Sequence, residues 1–193
     1  MKTKTRILFT CSILILTLMF LFPIWSISLE APQYPEGLGI YINISSMEGH
    51  KTNDLNSINN LNHYIGMKVI NPESINELKV MPYFIGFFFL SGIVILLLKK
   101  NSLILIWLIL FMIVAIVGLY DFYLWGYDYG HNLDPHAIIK IPGMYYQPPV
   151  LGTKQLLNFT AHSYPSIGGI AAFLSIGIAL YAYMISKISG KIK

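Results

Sequence analysis

Four long apolar runs decide what this chain can fold into. An uncharged stretch from Ile7 to Leu29 would make roughly 34 Å of helix, enough to cross a bilayer. Three more runs follow, and the spans are expected at about residues 7–29, 83–98, 103–125 and 167–185. Only 11% of the 193 residues are charged, against about 25% in soluble domains. The fold class expected is an all-α membrane protein, one integral membrane domain over residues 1–193. A cleaved leader is the rival for the first run. That run is long for a leader, and Ser26-Ile-Ser-Leu-Glu-Ala31 is a poor cleavage site, so a permanent anchor is expected.

The basic residues orient the spans. Lys2, Lys4, Arg6, Lys99, Lys100, Lys187, Lys191 and Lys193 fall on one side of every turn. That side is expected to be cytoplasmic, giving a bacterial inner-membrane protein with both termini inside. Scattered in this way, they do not form a nucleic-acid footprint. The polar segments 30–81 and 126–166 are then both periplasmic loops, expected to fold together as a small cap. The first reads as turning chain, a strand near Leu38–Ile44, a helix opened by Asn53 or Asp54 and closed by Gly66, and a short helix after Asn71. The second is dense in Pro, Gly and Tyr and reads as a packed loop, with a turn or two of helix at 154–160. In the last span, Gly168, Ala171, Ala172, Ser175 and Ala179 present small residues for close helix packing.

All five histidines lie in the two loops. His63 and Met67 are four apart, so on one helix they would stand a turn apart. An imidazole beside a thioether suits Cu(I), and His131, His136 or Met144 could complete a site from the second loop. The plainer alternative is that the histidines are solvated or hydrogen-bonded and the methionines fill gaps. The single cysteine, Cys11, lies in the first run and allows no disulfide within the chain. No nucleophile elbow, dinucleotide fingerprint or phosphate loop is present, so no enzyme activity is expected.

Ala31-Pro-Gln-Tyr-Pro35, Leu61-Asn-His-Tyr-Ile-Gly-Met67, Tyr129-Gly-His-Asn-Leu-Asp-Pro135, Pro142-Gly143, Tyr146-Gln-Pro-Pro149 and Leu157-Asn-Phe159 carry a resemblance. The chain resembles a little-characterised bacterial membrane-protein family, notably of the Bacteroidota, encoded near nitrous oxide reductase and its copper-maturation factors. The resemblance implies an accessory role in denitrification: copper delivery to, or assembly of, a periplasmic copper enzyme, with that enzyme or a copper chaperone as partner. Two other readings stand beside it. One is a structural or interaction subunit with no metal site. The other is a small transporter, which spans nearly free of charge disfavour.

Overall fold

The computed structural model describes residues 1–191; Lys193 and the side chain of Lys191, two of the orienting charges, lie outside what is described. The elements run α1 (Thr3–Leu16), β1 (Trp25–Ala31), β2 (Tyr34–Ile42), β3 (Met47–Gly49), α2 (Asp54–Ile65), α3 (Asn76–Leu98), α4 (Asn101–His131), β4 (Gly152–Leu156), β5 (Phe159–Pro165) and α5 (Ile167–Lys191). Four segments, Thr3–Phe20, Asn76–Leu98, Asn101–His131 and Ile167–Ile188, are long and apolar enough to cross a membrane.

The chain is not all-α. Five strands form one antiparallel sheet in the order β3-β2-β1-β5-β4. The correction starts inside the first apolar run, which holds two elements. α1 tightens into a 3-10 turn over Thr17–Phe20 and stops before Pro23, which has no N–H to continue a helix. From Trp25 the residues alternate, with Trp25, Ile27 and Ala31 buried, and the chain becomes a strand. The expected helical turns at 154–160 are likewise strand, the β4–β5 hairpin. The other boundaries shift less. α3 begins at Asn76 and carries Pro82 within it, and α4 continues to His131.

α1 and α5 pack closest. Ser12 and Ser175, both fully buried, exchange hydrogen bonds: each hydroxyl donates to the other's carbonyl at 2.9 Å. Small residues allow this approach. At Gly168 a Cβ would come within 2.7 Å of the Phe22 carbonyl oxygen. Phe9, Phe88, Trp107 and Phe111 fill the centre, and the Trp107 indole donates to the Phe88 carbonyl at 2.9 Å. The α-amino group of Met1 donates to the Lys99 carbonyl at 3.1 Å, which puts the N-terminus and the α3–α4 turn at one end of the bundle.

The sheet stands at the other end. β1 follows directly from α1, and β5 leads directly into α5. The inner face of the sheet (Trp25, Ile27, Leu38, Ile40, Ile42 and Met47) packs on Ile58 of α2 and on Phe122 and Trp125 of α4. Trp25 donates its indole N–H to Ser163 at 2.8 Å, so the one polar side chain buried at this point of β5 has a partner. The two polar segments do fold together: they share the sheet, and Asp134 and Ile139 donate their N–H groups to the carbonyls of Gly66 and Tyr64 at 2.8 and 2.9 Å.

Candidate functional site

The structure puts the five residues singled out for a metal in differing surroundings. α2 ends at Ile65 and Gly66 takes a left-handed conformation, φ 81°, so Met67 is no longer on the helix that carries His63. His63 is exposed, whereas Met67 is half-buried and lines an apolar cavity with Ile27, Ile40 and Ile58. His131 is sandwiched between Tyr127 and Tyr145, with ring centroids 3.9 and 4.5 Å away, and its Nδ1 lies 3.1 Å from the Tyr127 carbonyl. His136 is exposed, and Met144 is half-buried in the turn after Ile141. Among the described residues no three His, Cys, Asp or Glu side chains come within reach of one ion.

The histidines that strand pairing brings to a common surface are His50 and His162. Side chains alternate along each strand, so the residues between Trp25, Ile27 and Leu29 face outward. Register sets them in rows across the sheet. One row runs Glu48, Tyr41, Ser26, Tyr164. The next runs Gly39, Ser28, His162, Thr153, and a third Glu30, Thr160, Gln155.

His50 joins this face from just beyond β3. Its N–H donates to the Gly39 carbonyl at 2.9 Å, and its ring lies where a side chain at residue 39 would stand; any Cβ there would collide with it. The ring packs on Tyr41 at 4.0 Å, and Nε2 lies 3.0 Å from the Ser26 hydroxyl. Burial pushes the imidazole below its ordinary pKa, with Asp54 opposing the shift, which favours the neutral ring. At the other side Thr153 Oγ1 lies 2.8 Å from His162 Nδ1. The Glu30 carboxylate is 3.6 Å from His162 Nε2, too far for a hydrogen bond, so that buried nitrogen is left unpaired.

A neutral histidine beside a serine hydroxyl has the makings of a nucleophile and base. Ser26 nevertheless sits in mid-strand, paired with Tyr41 on one side and Tyr164 on the other. Its neighbours' N–H groups are engaged in the ladders, which leaves none to stabilise an oxyanion. What the face offers instead is hydroxyls, imidazoles, two tyrosines and two carboxylates on a rigid plane, with β1 in the centre. Half-exposed tyrosines on such a plane are suited to protein contact.

Below the sheet, Asp54 fixes the turn that carries His50. Its buried carboxylate accepts from Gly39 N at 3.0 Å and from Lys51 N at 3.2 Å. Compared with known protein families, characterised proteins and solved structures, the chain matches none.

Proposed function

We propose that this chain is a membrane-anchored accessory protein whose sheet presents its outer face to a partner protein on the periplasmic side of a bacterial inner membrane. One observation carries the reading: the outer face of the sheet, with Tyr41, Ser26, Tyr164, His50 and His162, is polar and aromatic, while the helices of the chain pack against the inner face or the ends. The hydrogen bond from Met1 to Lys99 supports the orientation, because it gathers Lys2, Lys99 and Lys100 at the end opposite the sheet. The family resemblance supplies the partner class, a periplasmic copper enzyme such as nitrous oxide reductase. In this reading copper belongs to the partner; among the described residues no three His, Cys, Asp or Glu side chains gather in this chain.

A photo-crosslinking residue at position 41 or 164, in cells, tests this. Each should give one discrete protein adduct, and the same probe at the exposed Leu151 should not. Adducts of equal yield from all three positions, or none from 41 and 164, would refute the docking face. Reporter fusions after Lys100 and Met144 test the orientation: cytoplasmic signal is expected at the first and periplasmic signal at the second. Copper retained by the purified wild type and lost from a His63→Ala/His131→Ala variant would instead return the metal to this chain.

A further inference from the structure

One cavity lies under the inner side of the sheet and another in the segment that follows α4, and one side chain stands in the wall of both. The outer cavity, about 200 Å³ and open to solvent, is a mainly apolar groove bounded by Ile65, Leu133, Pro135, Ile139 and Pro142, with Asp134 and Lys140 at its rim. The inner cavity, about 60 Å³, lies between the sheet, α2 and the end of α4, with Ile27, Ile40, Ile58 and Trp125 among its walls. Tyr146 borders both.

Tyr146 is only 2% exposed, and its hydroxyl is buried without a hydrogen-bond partner. The indole N–H of Trp125 is also buried and unpaired. Native interiors satisfy nearly all such groups, so each exception calls for an explanation. Phenylalanine at position 146 would fill almost the same space without stranding a donor. The backbone of Tyr146 is held, since its N–H donates to the Gly130 carbonyl at 2.9 Å.

We propose that the two cavities are one binding site, divided by the Tyr146 ring, for a small uncharged aromatic molecule that carries a hydrogen-bond-accepting oxygen. The unpaired donors of Tyr146 and Trp125 call for an acceptor, and the apolar groove against the Tyr146 ring, with Trp125, Tyr129 and Phe159 around the inner space, suits a planar apolar body. An apolar cavity of about 150 Å³ takes benzene. The outer space alone therefore accommodates a ring, and the inner space adds room for a substituent that reaches Trp125. Water alone would satisfy the donors of the inner space, which holds about two molecules, but it gives no reason for the larger, mainly apolar groove beside it. The site faces away from the docking surface and stands independently of it.

Acetophenone and ethylbenzene form a matched pair of probes that differ in the acceptor. Binding to the full chain in lipid nanodiscs is measured by saturation-transfer NMR, with empty nanodiscs as background. Acetophenone should bind about tenfold more tightly than ethylbenzene. Tyr146→Phe should cut that ratio to about threefold or less while ethylbenzene binding is unchanged, and Trp125→Phe should cut the ratio likewise. Near-UV circular dichroism checks the fold, and if one variant does not fold the other carries the test. Equal affinities in the wild type, an unchanged ratio in a folded variant, or no binding above empty nanodiscs would overturn the proposal.

Discussion

Replacing Asp54 by alanine should loosen the sheet without touching the membrane helices. Asp54 is 4% exposed, and its Oδ2 accepts from two backbone N–H groups, those of Gly39 and Lys51. It is also the first residue of α2, where negative charge is favoured by the helix dipole. A hydrogen bond to a charged group contributes about 1.5–3 kcal/mol. The Gly39 bond is fully buried and would leave a stranded N–H. The Lys51 bond is half-buried and its donor finds water, so the total is about 3–4 kcal/mol. Asparagine keeps one acceptor oxygen, and about 1.5 kcal/mol is expected for it. Hydrogen exchange of the Leu38–Ile42 amides in nanodiscs reads this directly, because exchange follows local opening. Protection there should fall several hundredfold, roughly 150- to 800-fold, in Asp54→Ala and about tenfold in Asp54→Asn. The amides of α3 and α4 should not change. Asp128→Ala is the contrast: its pair with Lys68, at 2.6 Å, is half-exposed on both sides, and its loss should cost at most about 1 kcal/mol. Protection at Leu38–Ile42 within about threefold of wild type in Asp54→Ala would refute the claim that this carboxylate holds the sheet to α2.

Acid should weaken the sheet through His50. Burial lowers its pKa below the model-compound value of 6.5, so the unfolded chain binds the proton more readily. Stability contributed by the neutral ring is therefore complete above about pH 6.5 and is lost as pH falls through the folded pKa; exchange at Gly39–Tyr41 from pH 7.5 down to 5 should show the loss, and His50→Gln should flatten it. Gly66→Val should destabilise the junction of the two polar segments by more than about 1–2 kcal/mol. Its φ is +81°, and a Cβ would come 2.8 Å from that of Ala137. Limited proteolysis should then cut within 132–151, where the wild type resists; unchanged resistance would show that the junction contributes little.

The spans are legible because a bilayer demands long apolar runs, and that demand leaves a clear mark on composition. Gly66 is legible as a helix stop, and Gly168, Ser175 and Ala179 as a packing stripe, because each of these is a local requirement. The pairing of His63 with Met67 fails on the same glycine: the residue that ends α2 also takes Met67 off it. β1 was hidden by its composition. Trp25-Ser-Ile-Ser-Leu-Glu-Ala31 alternates with period two, yet it continues an uncharged run and hydropathy alone joins it to α1. Pro23 marks the true boundary. The outer face was not legible at all. Nothing near Ser26 indicates that it lies between Tyr41 and Tyr164, since register is settled by strands far apart in the chain.

The pairing of β1 with β5 also sets a timetable for biogenesis. β1 emerges from the ribosome early, but its partner on one side, Phe159–Pro165, comes some 130 residues later. At about 5–20 residues per second the central strand waits on the order of ten seconds with that edge unpaired. During this interval α3 and α4 must be made and inserted, while Ser12 has no Ser175 to bond. An open strand edge on a nascent chain invites wrong partners. The last strand and the last helix thus close the sheet and the bundle in turn, and a chain cut short before Phe159 leaves β1 open on one side and α1 without its closest partner.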